Sequence, residues 1–292
     1  MTLPTDPVAS IDDADRTFAP SESYTPTVTV RRDILPMIVQ HAMELYWDGS
    51  TPTKRLDDRE GSSKFTRFVN ARIEGKLSEV AFTQLLEQQF DVRAKVDFRI
   101  YGDYETTDTG DLQHLLGPGD IEYPPGVEFD LKKTKPWNSW LAIRREIYDK
   151  IDPDAPVILT KLFIEPELNV DPWLNARDWD DVDEDDRFRN RLLTYADEVF
   201  PVDVEFVGTA YPTEFTESFA KGDRLYNPVN GSKIGPPLKR PNEAIAVQNL
   251  DRRASRWNRV VGDIVAPLVD ADGEQVTVGR RHLTADEDRH VV

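Results

Sequence analysis

Two aspartates, a lysine and a glutamate are the residues best suited to chemistry. Asp130 and Lys132 lie in the run Val127-Glu128-Phe129-Asp130-Leu131-Lys132-Lys133-Thr134-Lys135. In an extended strand alternate side chains share a face. Val127, Phe129 and Leu131 then form an apolar row, and Glu128, Asp130 and Lys132 line its back. Asp111, in Gly110-Asp111-Leu112, follows a polar loop and would bring a second carboxylate from a separate element. Two such carboxylates suit Mg²⁺, which binds through one or two of them and keeps several waters. A metal so held polarises a phosphodiester and helps generate a hydroxide nucleophile. The Lys132 ammonium would orient the attacking water or stabilise charge on the pentavalent phosphorus. Glu79, in Lys76-Leu77-Ser78-Glu79, adds a further carboxylate, or else is a first-turn charge favoured by a helix dipole. The plainer alternative for Asp130 and Lys132 is a half-exposed strand carrying an ion pair.

The flanking sequence must position these groups. Residues 1–28 are rich in Pro, Ser, Thr and Asp without periodicity and read as a disordered or loosely docked arm. Ile34 to Trp47 reads as a helix with Pro36 in its first turn. Phe65, Phe68, Val69 and Ile73 have helical spacing, and Gly75 is expected to stop that segment. A second helix is expected from a Ser78 cap, through Val80, Phe82, Leu85, Leu86 and Phe90. Val92 to Tyr101 alternates as a strand, and 102–119 reads as polar turns. Pro136 is expected to open a helix with Trp137, Trp140, Leu141, Arg144, Ile147 and Tyr148 on one core-facing stripe. Val157 to Ile164 reads as a buried strand. Beyond it come an acidic run at 178–186, a helix at 188–200 and a strand through Val202, Val204 and Phe206. A short helix is then expected at 211–219, a Gly/Pro-rich loop at 222–241, a strand at 244–247 and a helix at 254–265. The expected architecture is α/β: a core at 29–165 with a mixed central sheet flanked by helices, an α+β C-terminal extension at 166–268, and a polar tail at 269–292.

Composition narrows the chemistry. The 292 residues hold 54 acidic and 36 basic side chains, a net charge of −18, and no Cys. Disulfides, zinc-thiolate sites, iron-sulfur clusters and a thiol nucleophile are therefore excluded. No apolar run is long enough to span a bilayer, and the N-terminal residues lack the pattern of a secretory signal. A cytoplasmic protein without a membrane partner is expected. An acidic balance of this kind suits a high-salt cytoplasm, where the Debye length falls to about 3 Å at 1 M. It resembles the haloarchaeal type of surface, and on such a surface only local basic clusters bear on a ligand. Those clusters are Lys132, Lys133 and Lys135, then Arg144, then Arg252, Arg256 and Arg259 at helical spacing. Each would contact DNA phosphates or pair with surrounding acids. The four histidines show no ligand spacing and read as surface or satisfied residues.

The order Glu79, Asp111, Asp130-x-Lys132 resembles the PD-(D/E)xK nuclease superfamily, the restriction-endonuclease-like fold. That pattern is a helix Glu, an Asp at a strand or hairpin, and an acid-x-Lys in the next strand. The likeness covers about residues 65–165. It implies Mg²⁺- or Mn²⁺-dependent hydrolysis of DNA phosphodiesters, with Asp111 and Asp130 as metal ligands, Lys132 as the catalytic lysine and Glu79 as an auxiliary ligand. It departs from the family where no Pro precedes Asp111. The loop up to Asp130 holds a second candidate, Asp120, and Glu128 is a further possible ligand. DNA would be the partner, in restriction and defence or in repair. Cutting both strands would call for a homodimer or for partner subunits of a defence system. Two rivals stand beside this reading: a DNA-binding or scaffold protein on the same fold that does not cut, and a hydrolase of small phosphoesters.

Overall fold

A computed structural model describes residues 19–47, 64–98, 111–164 and 200–268. At its centre is a four-stranded mixed sheet in the order β1-β8-β7-β5. The strands are β1 (Thr27–Val30), β5 (Asp130–Thr134), β7 (Val157–Phe163) and β8 (Val202–Ala210). β8 runs antiparallel to both β1 and β7, whereas β5 and β7 are parallel, with Asp130 opposite Val157 and Lys132 opposite Leu159.

Helices cover one face of this sheet. α1 (Leu35–Trp47), α2 (Lys64–Phe90) and α4 (Ala254–Val265) share a core with Ile158, Leu162, Val202, Val204 and Phe206. Phe82 of α2 sits 5.3 Å from the ring of Phe129 and 6.0 Å from that of Phe206. The other face carries a second sheet, β6 (Trp140–Arg144), β12 (Asn242–Ala246) and β9 (Glu217–Phe219). Leu141, Ile143 and Ile245 meet Val157, Leu159 and Val207 there. A third small sheet joins β2 (Arg93–Val96), β3 (Leu112–Leu116) and β4 (Glu122–Tyr123), and β10 (Leu225–Tyr226) pairs with β11 (Lys233–Ile234). The molecule is thus mixed α/β, as the sequence suggests, with several small sheets rather than one large one.

Several expectations change. Gly75 does not stop a helix, and Ser78 does not cap one. α2 runs unbroken through both, and the Ser78 hydroxyl is 2.9 Å from that of Thr160 in the core. No helix begins at Pro136. The segment turns at 136–137 and re-enters as β6, with only a single turn, α3 (Arg145–Tyr148), after it. Trp137, expected in the core, is 74% exposed. The segment 102–119 contains β3. The 211–219 segment forms one 3₁₀ turn and then β9, and the 222–241 loop contains the β10/β11 hairpin. The two expected divisions also cut across structure. Residue 28 lies inside β1, and Tyr24 is buried edge-on to Trp257 at 6.2 Å, so residues 19–28 are docked. β8, assigned to the extension, is the strand to which both β1 and β7 pair. The acidic run, the 188–200 helix and the polar tail lie outside the described residues, apart from residue 200.

Candidate functional site

Among the described residues β5 is an edge strand of the central sheet, as β1 is at the other side. The N–H of Asp130 donates inward, to the carbonyl of Pro156 at 3.0 Å. Successive backbone groups of a strand point to opposite sides, so the N–H of Leu131 faces outward, and the Asp111 carboxylate accepts it through Oδ2. A carboxylate thus takes the place that another strand would fill. Asp111 reaches it because it immediately precedes β3.

Phe129 and Leu131 join the helix-side core, so alternation turns Asp130 and Lys132 to the other face. The Lys132 ammonium donates to Asp130 Oδ1 at 2.5 Å, with side chains 30% and 21% exposed. Lys133 and Lys135 return to the α2 face. There both bond Glu74, Lys133 through Oε2 and Lys135 through Oε1 at 3.2 Å. Two residues further along α2, Lys76 donates to Glu79 Oε2 at 2.6 Å and to the carbonyl of Asp97 at 2.5 Å. The same ammonium lies 5.5 Å from the ring centroid of Phe98.

Burial pushes the Glu79 carboxyl up to about 8. The Lys76 charge opposes this, and the Asp111 carboxylate adds to it. Asp111 is likewise raised, first by burial and then by the charge of Asp130, against the Leu131 hydrogen bond and the charges of Lys132 and Lys76. Glu74 goes the other way. Burial would raise it, but the charges and hydrogen bonds of Lys133 and Lys135 outweigh that and hold its carboxyl below the usual range. Burial lowers the Lys133 ammonium against the pull of Glu74. The short contact between the two marks them as an ion pair all the same.

The donor set fits a hard cation in one respect. Asp111 and Asp130 are close enough for the charge of one to raise the other, a cost that a divalent cation between them would remove. Mg²⁺ asks for one or two carboxylates with waters completing its shell. Three protein ligands do not gather: among the described residues no group of three or more His, Cys, Asp or Glu could hold a metal ion. The strand explains why. Glu79 comes from the α2 side of the sheet, Asp130 faces the opposite side, and Asp111 stands at the edge between them.

Asp120 and Glu128 are the alternative ligands. Asp120 has a side chain 73% exposed and pairs with Arg93 at 2.7 Å, and Glu128 is exposed. Of the basic residues expected on DNA, Arg252 precedes α4 rather than sharing its face. It donates to the carbonyls of Val207 and Val247 at 2.9 and 2.8 Å, a structural role that replaces the expected phosphate contact. Arg256, with a side chain 9% exposed, bonds Glu214 and lies 4.5 Å over the Tyr211 ring, so it too is spent internally. Arg144 stands 3.8 Å from Glu146. Arg259 is exposed at the surface, 3.9 Å from Asp263. His41 is buried, edge-on to Phe98 at 5.4 Å. His114 has Nδ1 3.4 Å from Glu122.

Sequence reasoning missed Lys76 and Glu74. The signal was the i, i+3 spacing of Lys76 and Glu79, which reads as a helical pair once α2 is allowed through Gly75. No family model matches this chain, and neither curated proteins nor solved structures give a significant match.

Proposed function

We propose that this chain is a divalent-metal-dependent nuclease that hydrolyses DNA phosphodiester bonds on a restriction-endonuclease-like core. The observation that carries the reading is the convergence of Asp111 and Asp130, from separate elements, beside Lys132 at the edge of β5. The order and types of these residues are those of the PD-(D/E)xK pattern.

In this reading Asp111 and Asp130 would hold Mg²⁺ or Mn²⁺, with Glu79 as an auxiliary carboxylate. The bound ion would supply Lewis-acid polarisation of the phosphate and a water of lowered pKa. The chain's own groups do the rest. The Leu131 N–H engages Asp111 Oδ2, which leaves Oδ1 to serve a cation. Lys132 directs N–H donors at the attacking water or at a non-bridging phosphate oxygen, where charge develops as the new P–O bond forms. The old P–O bond then breaks, and the departing oxygen takes a proton from water. Lys76 holds Glu79 in place and offsets its charge.

The test is nicking of supercoiled plasmid with Mg²⁺ or Mn²⁺ at molar KCl. Asp111→Asn, Asp130→Ala and Lys132→Ala should each lower the rate by about 10²-fold or more. Equal products from wild type and variants would sink the assignment. One observation favours a different reading, a DNA-binding or scaffold protein that does not cut: the Lys132 ammonium is already engaged by Asp130. A shifted DNA band with no cleavage under any divalent metal would select it.

A further inference from the structure

Lys133 and Lys135 reach one carboxylate, Glu74, that lies 59 and 61 residues earlier in the chain. The lysine side chains are 28% and 33% exposed, while that of Glu74 is 17% exposed. The ammonium pair is therefore more open to solvent than the anion it holds. A carboxylate and a phosphodiester are both monoanions with two terminal oxygens, so the donors that grip one will grip the other. Because β5 is an edge strand, a nucleic-acid strand crossing that edge meets Lys132 on one face and Lys133 and Lys135 on the other. Lys135 follows Lys132 by about 10 Å of extended chain, a span that takes in phosphates next to the one attacked.

We propose that Lys133 and Lys135 form a seat for a backbone phosphate adjacent to the scissile one, and that Glu74 fills this seat in the free protein and yields it when nucleic acid binds. The inference rests on the nucleic-acid reading above and adds a second phosphate site and a built-in competitor for it.

The test compares binding of a fluorescein-labelled DNA duplex by wild type and Glu74→Gln, read by anisotropy over a salt series with Ca²⁺ replacing Mg²⁺. Removing the competing charge should tighten binding about five- to tenfold and steepen the dependence of log K on log salt by about one. Lys133→Gln with Lys135→Gln in the Glu74→Gln background should return both to or below the wild-type values. This second comparison also guards against a misfolded Glu74→Gln, because thermal melting of each variant is read alongside. If wild type cuts plasmid but Glu74→Gln, folded, binds no more tightly, the seat is wrong and the nuclease reading stands. If wild type neither binds nor cuts, both fall. Competition by a nucleoside 3′,5′-bisphosphate as strong, per phosphate, as that of unlabelled duplex would assign the seat to small phosphoesters and overturn the nucleic-acid assignment.

Discussion

Glu79 and Asp111 hold protons more tightly in the fold than in the open chain. The Glu79 carboxyl moves from 4.5 to about 8, chiefly through burial. A raised acid pKa means that the native state binds the proton more strongly than the unfolded state does. Stability from this group is therefore full below about pH 4.5 and is lost as pH rises through about 8. Since one unit is worth about 1.4 kcal/mol, the metal-free protein should lose a few kcal/mol across that window, and its melting temperature should fall by several degrees between pH 5 and 8. Glu79→Gln should flatten the curve, and so, on the proposed metal reading, should Mg²⁺. A melting curve that rises with pH in the absence of metal would contradict the electrostatics described. At this scale the sequence was informative about one neighbourhood: that Asp130 and Lys132 share a face of β5 and meet there is legible from strand alternation. It was silent about the partner of Asp111, because a bond from Leu131 N–H to Asp111 depends on β5 lying at a sheet edge, and no local pattern encodes which strand that is.

Gly75 illustrates how an element was misread. Glycine costs about 0.5–1 kcal/mol inside a helix, which makes it look like a stop, yet α2 carries on because Ile73, Leu77, Val80 and Ala81 are all buried against the sheet. Tertiary burial outweighs that cost. A Cβ at position 75 would meet nothing within 4 Å, so Gly75→Ala should stabilise the protein by about 0.5–1 kcal/mol and leave the site intact, as denaturant midpoints would record. Gly126 is the opposite case. Its N–H bonds Ile264 O at 2.8 Å, and a Cβ there would come 2.5 Å from Asp263 O and 2.8 Å from the Pro267 ring. Gly126→Ala should force the end of α4 away from the chain entering β5. It should lower stability by about 1–3 kcal/mol and reduce nicking by more than unfolding alone explains; unchanged nicking in a destabilised protein would separate α4 from the site. The strands β7 and β8 and the helix α4 were legible because one continuous or one-sided apolar pattern marks each. β6 was not. Leu141 and Ile143 bury into one cluster and Trp140 into another, so apolar residues fall on both faces and spacing cannot tell such a strand from a helix. Trp137 belongs to the turn before β6. Being exposed, it should tolerate Trp137→Ala with little loss of stability, whereas Trp257→Ala, in the core under Tyr24 and Phe206, should cost about 3–5 kcal/mol.

At the scale of the whole molecule the governing quantity is the net charge of −18. Like charges spread over a surface destabilise the compact state, because unfolding moves them apart. Salt screens that repulsion: the Debye length is about 10 Å at 0.1 M and about 3 Å at 1 M. The favourable pairs are shorter than either length. Lys76 is 2.6 Å from Glu79 and Arg93 is 2.7 Å from Asp120, and the partly buried pairs around Glu74 and Glu79 are screened less than exposed charges. Added salt should therefore remove the long-range repulsion while leaving much of the contact attraction in place. The melting temperature should climb between 0.1 and 2 M KCl, and NaCl should act like KCl if screening is the cause. A melting temperature that is flat or falling over that range would mean that contact pairs, not net charge, dominate the electrostatic balance. On the proposed nuclease reading, the same competition bears on DNA. Long-range repulsion from the acidic surface opposes approach at low salt, while the lysines of β5 act only on contact, so the strand edge that holds Asp111, Asp130 and Lys132 should become more accessible to a polyanion as the surrounding field is screened.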